Sequence, residues 1–91
     1  MNFIIEEIRK GNRKVFKNLF NKNYKELVLY ANGYLFDTAA SEDVVQEVLI
    51  YIWEHPDKLK IKTSLKSYLF SMVRNRCLNY LKSKIYMHFS F

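Results

Sequence analysis

Residues 63–84 read TSLKSYLFSMVRNRCLNYLKSK, and this stretch decides the fold. With about 3.6 residues per turn, a helix gathers most of its apolar side chains on one side and spreads its basic and amide groups over the rest. The first side comprises Leu65, Leu69, Met72, Val73, Arg76, Cys77 and Tyr80. The rest comprises Lys66, Phe70, Arg74, Asn75, Asn79 and Lys82. The stretch therefore predicts a long helix that packs on a core and leaves a basic, amide-rich and aromatic surface outside.

Helical signals also dominate the rest of the chain. It contains two glycines and one proline, and no alternating strand pattern lies between turn residues. We predict an all-α fold, a compact bundle of three main helices at about residues 12–36, 39–54 and 64–84. A short N-terminal helix over residues 3–8 precedes them and ends before Gly11.

Polar side chains mark where each main helix begins. Asn12 precedes the second helix and Thr38 the third. Thr63 and Ser64 precede the fourth, and a side-chain oxygen at such a position accepts a hydrogen bond from an otherwise unpaired first-turn N–H. Pro56 ends the third helix, because proline disfavours helical geometry in the residue before it.

Two features of the second helix are irregular. The polar residues Asn-Lys-Asn at 21–23 are expected to break or bend it. Gly33 falls inside the apolar pattern, where glycine costs about 1 kcal/mol relative to alanine. We therefore expect another part of the chain to approach closely at Gly33.

The composition is that of one globular domain. The chain has 91 residues, of which 49% are hydrophobic, and a chain of this size buries roughly 60–65% of its unfolded surface. Its single cysteine, Cys77, excludes an internal disulfide and is expected to be a buried packing residue. No run approaches the roughly 20 apolar residues of a membrane span, and the N-terminus lacks a long signal-peptide segment. We expect a cytoplasmic protein with no membrane insertion.

Charge is distributed unevenly along the chain. Residues 1–37 carry a net charge of +3, and residues 38–54 carry −4 with no basic residue. Residues 55–91 carry +7, with Asp57 as their only acidic residue. A basic surface attracts polyanions such as nucleic acid, although a charge excess alone is more often a solvated face. The separation of acidic and basic segments favours two surfaces with two different partners.

The residues do not form a pattern typical of a catalytic or cofactor site. His55 and His88 have no carboxylate or thiol at metal-ligand spacing, so we predict no metal. No glycine-rich phosphate-binding motif is present. We predict that the protein is not an enzyme and uses no cofactor.

Nucleic-acid binding is the function that the basic segment favours. Lys58, Lys60, Lys62 and Lys66 lead into the last helix, and lysines neutralise phosphates without reading sequence. Arginine and asparagine side chains contact base edges, and exposed aromatic or apolar residues stack on unpaired bases. The basic loop, residues 56–62, alternates lysine with apolar residues, which suits single-stranded or melted DNA better than a duplex groove. For Tyr68 and Phe70 taken singly, core packing is the more common role.

Three stretches form one ordered pattern: VFKNLFNKNYKELVLYANGYL at 15–35, ASEDVVQEVLIYIWEHPDKL at 40–59 and SLKSYLFSMVRNRCLNYLK at 64–82. Together they resemble the region 2 domain of bacterial sigma factors, and the compact extracytoplasmic-function (ECF) group is the most similar. The match covers residues 12–84 in order and with the expected spacing. Each stretch alone is a weak signal, whereas the joint pattern is specific.

The resemblance implies a protein-binding surface on the third helix. In the family, the outward face of this helix docks on the clamp helices of the largest subunit of core RNA polymerase. We call the corresponding residues the acidic face; they are Asp43, Gln46, Glu47 and Ile50.

The resemblance also implies a surface that recognises and melts the minus-ten element of promoter DNA, which becomes partly single-stranded. We call the corresponding residues the basic surface; they are Leu59, Lys60, Lys62, Ser64, Lys66, Arg74, Asn75, Asn79 and Lys82. Asn75 is the best candidate for contacting the flipped minus-ten base. The expected contacts to the DNA backbone are Lys60, Lys62, Lys66, Arg74 and Lys82. An anti-sigma factor is a further expected partner.

Residues 1–91 are expected to form a single region 2-like domain, and the helix-turn-helix domain that ECF factors also carry is expected to be absent. Two other classes of function stay open. A helical adaptor that binds only proteins would show no DNA binding with or without polymerase. A basic amphipathic protein would bind anionic membranes, but the apolar stripes are better matched to a helical core.

Overall fold

The computed structural model describes the backbone of residues 2–89 and the side chains of residues 2–84. Within this range it contains four α-helices: α1 Phe3–Arg9, α2 Arg13–Leu35, α3 Thr38–Glu54 and α4 Leu65–Phe89. A short 3₁₀ helix, Pro56–Lys58, connects α3 to the rest of the basic loop. Residues 2–89 contain no strand, so the all-α prediction is confirmed.

The core lies where α2, α3 and α4 pack against one another. Its largest fully buried aliphatic side chains come from all three helices: Leu27 in α2, Leu49 and Ile52 in α3, Leu69 and Val73 in α4. Burying one such side chain contributes about 1.5–3 kcal/mol. The short α1 adds Ile5 and Ile8 at one end of this core. The three main helices therefore form one unit, which fixes the relative positions of their outer faces.

Hydrogen bonds at the helix starts confirm one predicted cap and correct another. Asn12 Oδ1 accepts from the Val15 N–H at 3.2 Å and caps α2, as predicted. Thr38 does not cap α3, because it is already the first helical residue. Asp37 caps it instead: its backbone is extended (φ −153°, ψ 110°), and its Oδ1 accepts from the Ala40 N–H at 3.0 Å. A carboxylate is also favoured at the positive end of a helix.

The second helix is more regular than its sequence predicts. It continues through residues 21–23, and the buried Asn23 donates from Nδ2 to the Leu19 carbonyl at 3.0 Å, within the same helix. The expected close approach at Gly33 is wrong, since no other part of the described chain comes within 4 Å of the position of a Cβ there. The chain turns at Phe36, whose φ of 50° is left-handed and whose side chain is 87% exposed.

The fourth helix begins where predicted and ends later. Ser64 Oγ accepts from the Ser67 N–H at 3.1 Å and caps the helix. The helix extends to Phe89 rather than ending near residue 84, because neither glycine nor proline follows Lys84 to stop it. Among the described helices, none combines the length and the apolar character needed to cross a membrane.

Cys77 is fully buried in α4, as predicted. Its Sγ lies 3.9 Å from the carbonyl oxygen of Ala31 in α2. Burial raises the pKa of the thiol, so the reactive thiolate is disfavoured at neutral pH.

We therefore expect the Cys77 thiol to resist alkylation by a thiol reagent in the native protein. In denaturing urea it should react as fast as a small free thiol, because its shielding is lost. Mass spectrometry of timed samples measures both rates. Rapid labelling without urea would contradict the buried position.

Candidate functional site

The four residues of the acidic face lie together on the exposed side of α3. They occupy positions 43, 46, 47 and 50 of the helix, while Val44, Val45, Val48 and Leu49 turn into the core. Ile50 is 53% exposed although it is a large apolar side chain. The result is an exposed apolar centre next to two carboxylates and an amide, an arrangement that suits a protein partner.

Two residues of the acidic face are held by partners from other helices. Gln46 Nε2 donates to the Tyr24 hydroxyl of α2 at 3.1 Å. Glu47 Oε2 accepts from Arg76 Nη1 of α4 at 3.2 Å. The Tyr24 ring in turn stacks on Phe20 with ring centroids 4.9 Å apart. These contacts restrict the side-chain conformations of Gln46 and Glu47 before any partner binds, which lowers the entropic cost of binding.

Arg76 lies at the border of the core, where its helical position predicts it, but its charged group reaches the surface. Its guanidinium carbon lies 6.0 Å from the centroid of the Tyr51 ring while the group pairs with Glu47. An arginine with its stem along apolar surface and its head in water is a common arrangement. Arg76 therefore links α4 to the acidic face of α3.

The basic surface begins in the basic loop and at the start of α4. Lys60 and Lys62 are exposed and form no ion pair with any described residue. Leu59 is half-buried and packs against the core. The hydroxyl of Ser64 is exposed, but it is engaged as the cap of α4.

On α4 the predicted DNA-binding residues are all exposed. Lys66 pairs with Glu26 of α2 at 3.4 Å. Asn79 is exposed and lines a groove of about 780 Å³ that also includes Asp43 and Glu47 of α3. Asn75, Asn79 and Lys82 follow one another at intervals of four and three residues, so they lie on one exposed side of the helix. This side reaches the groove beside the acidic face at Asn79.

Aromatic residues support α4 on its α2 side. Phe70 is half-buried and makes an edge contact with Tyr30, with ring centroids 4.8 Å apart. The hydroxyls of Tyr30 and Tyr34 lie 3.4 Å apart, and this hydrogen bond is the main reason that the pKa of Tyr30 is raised. Core packing is therefore the observed role of Phe70.

Comparison with known families shows the family of the chain. The sigma-70 region 2 family model matches residues 19–84. The chain belongs to the sigma-70 region 2 family. No curated protein and no solved structure matches it. A sigma region 2 domain acts in RNA polymerase binding and promoter recognition, and this is the function of the chain at that level of detail.

The match places both predicted surfaces of this region 2 domain inside the family segment, from Leu19 to Lys84. It leaves out α1 and the first residues of α2.

The sigma region 2 family is not a family of enzymes. Within the described residues no group of three potential metal ligands comes together, and His55 packs against the Tyr51 ring. The side chain of His88 lies outside the described residues.

The structure adds residues that the sequence analysis did not assign to either predicted surface. Tyr24 and Arg76 orient the acidic face, and Glu26 pairs with Lys66 of the basic surface. Their partners lie 22 to 40 positions away along the chain. Helical periodicity relates residues three or four positions apart, so it carried no signal for these pairs.

Proposed function

We propose that this domain docks on the clamp helices of core RNA polymerase through its acidic face. We further propose that its basic surface recognises and melts the minus-ten element of a promoter. The observation that carries the proposal is the presence of two exposed surfaces of different chemistry on one three-helix core. The family match to sigma region 2 supports both assignments.

The acidic face has the composition of a small protein interface. The exposed side chain of Ile50 provides apolar area that a partner can bury. Asp43 and Glu47 beside it attract a basic partner surface, which aids association and sets its orientation. Because Gln46 and Glu47 are already held by Tyr24 and Arg76, little ordering is needed on docking.

The basic surface has separate groups for phosphates and for a base. Lys60 and Lys62 protrude from the loop and provide charge for the DNA backbone. Asn75 presents an amide on the outer side of α4, and an amide can both donate to and accept from a base edge. Extruding a base from duplex DNA costs a few kcal/mol. Capture of that base together with polymerase binding would offset this cost.

Three finer assignments follow the same reasoning. We place the domain in the ECF group, with an anti-sigma factor as an additional partner that covers one of the two surfaces. Its site of action is the cytoplasm, where polymerase and promoters are found. Promoter DNA is bound as a partly single-stranded bubble.

We expect Asn75→Ala to weaken binding of a single-stranded minus-ten-like oligonucleotide more than binding of a scrambled strand, by about fivefold to tenfold. A lost base contact is worth about 1–3 kcal/mol, and only the correct base provides it. Lys62→Ala should weaken both strands equally and reduce the dependence of log K on log salt by about 0.7. Fluorescence anisotropy at several salt concentrations measures these quantities.

Asn21→Ala is the matched control, since Asn21 is exposed on α2 outside both surfaces. It should bind like the wild type. Equal losses on both strands for Asn75→Ala would remove its role in base reading. A folded wild type that binds no strand, with or without polymerase, would favour the protein-only adaptor.

A further inference from the structure

The family match does not include α1, yet α1 packs against the 3₁₀ helix at the start of the basic loop. We propose that α1 is a positioning element that holds the basic loop in its DNA-binding conformation through an ion pair between Arg9 and Asp57. This inference rests on the proposed function of the loop in binding single-stranded DNA.

The position of Asp57 is the first argument. It is the only acidic residue among residues 55–91, which contain eight lysines and arginines. A carboxylate beside phosphate-binding lysines opposes DNA binding through its charge. Asp57 Oδ1 lies 2.6 Å from Arg9 Nε, and that guanidinium also pairs with Glu6. The acid therefore serves as the attachment point of the loop on α1.

The apolar residues of the loop point to the same role. Leu59 has an extended backbone (φ −80°, ψ 130°), and along an extended chain successive side chains alternate sides. Leu59 and Ile61 are half-buried and line a recess of about 300 Å³ together with Ile5 of α1. Lys60 and Lys62 are consequently exposed. Contact between the loop and α1 thus determines which way the lysines face.

For α1 to hold the loop, it must itself be fixed to the bundle. Ile5 and Ile8 are buried in the core. Glu7 Oε1 accepts from Nδ2 of Asn12, the residue that caps α2, at 3.1 Å. This hydrogen bond, together with that from Lys10, lowers the pKa of Glu7. α1 is therefore attached to α2 on one side and to the loop on the other.

Two substitutions that each remove one negative charge near the loop test the proposal. Asp57→Asn breaks the ion pair; Glu54→Gln, at the exposed end of α3, breaks no ion pair recorded among the described residues. A purely electrostatic role predicts that both variants bind a single-stranded minus-ten-like oligonucleotide slightly more tightly than the wild type. We expect Asp57→Asn to bind about three- to fivefold more weakly than Glu54→Gln, as an exposed ion pair allows. Equal affinities would overturn the proposal.

Exchanging the two charges of the ion pair tests whether DNA binding can be restored. Arg9→Asp alone should weaken DNA binding, and the double variant Arg9→Asp/Asp57→Arg should restore it to within about twofold of the wild type, because the pair re-forms with reversed polarity. The double variant also keeps the net charge of the wild type. Circular dichroism confirms the fold of each variant. A double variant that binds no better than Arg9→Asp would count against a positioning role.

A second readout does not depend on DNA. Trypsin cleaves after exposed lysines, so mass spectrometry can follow cleavage after Lys60 and Lys62. We expect Asp57→Asn to be cut there about threefold faster than Glu54→Gln, since cleavage follows the population of the released loop. Failure of the wild type to bind DNA would refute the proposed function, while equal cleavage rates would refute the attachment of the loop to α1.

Discussion

Ile50→Asp is expected to reduce binding of the domain to core RNA polymerase by at least about 30-fold. A buried apolar residue at the centre of an interface contributes about 2 kcal/mol or more. Ile50 is 53% exposed in the free domain and lies beside Asp43 and Glu47, where it is available to a partner. A new carboxylate at this position removes the apolar contact and leaves an unpaired charge in the interface.

Leu29→Asp is the matched control for this experiment. Leu29 is 67% exposed on α2, outside both surfaces, so the same change in chemistry should leave polymerase binding unaffected. Asp43→Ala and Gln46→Ala should each weaken binding as well, which would locate the docking face. Binding is measured with purified core polymerase by biolayer interferometry. Full binding by Ile50→Asp would exclude the acidic face as the docking site.

Leu49→Ala is expected to lower the free energy of unfolding by about 2–5 kcal/mol, the range for truncation of a buried leucine. Leu49 is fully buried where α3 meets the core. Since a domain of this size is stable by only about 5–15 kcal/mol, this loss is a large fraction of the total. Urea denaturation followed by circular dichroism measures it through the shift of the transition midpoint.

The neighbouring residue supplies the control for this prediction. Ile50→Ala removes a similar aliphatic side chain one position along α3, but from the exposed side of the helix. It should change the free energy of unfolding by less than about 1 kcal/mol. Similar losses of unfolding free energy for the two variants would contradict the burial of Leu49 and the exposure of Ile50.

Helical spacing predicted the side on which most core residues lie, although Tyr80 of the predicted core side is 37% exposed and Phe70 of the predicted outer side is half-buried. In α3, valines, leucines and isoleucines at helical spacing form the buried side, opposite the acidic face that the resemblance implied. In α4, the same periodicity placed Leu69, Val73 and Cys77 in the core. The prediction succeeds because helix geometry is local: residues three and four positions apart lie on the same side of a helix.

Other local predictions failed where two signals competed. Both Asp37 and Thr38 can cap a helix, and the backbone conformation selects Asp37. The close approach predicted at Gly33 is also wrong: the position is exposed, and the structure gives no packing reason for the glycine. In both cases the outcome depends on backbone angles or packing, which the sequence pattern does not contain.

The helical class, the buried stripes and the separation of an acidic segment from a basic one follow from the order of the residues alone. Which charged residues meet across elements depends on how the helices pack: Glu47 pairs with Arg76, Glu26 with Lys66, and Asp57 with Arg9. Such pairs depend on the rotation and crossing of packed helices, which follow from how whole side-chain surfaces interlock. No periodicity within one helix specifies that fit, so the residues that hold the acidic face and the basic loop in place emerge only when the helices are assembled.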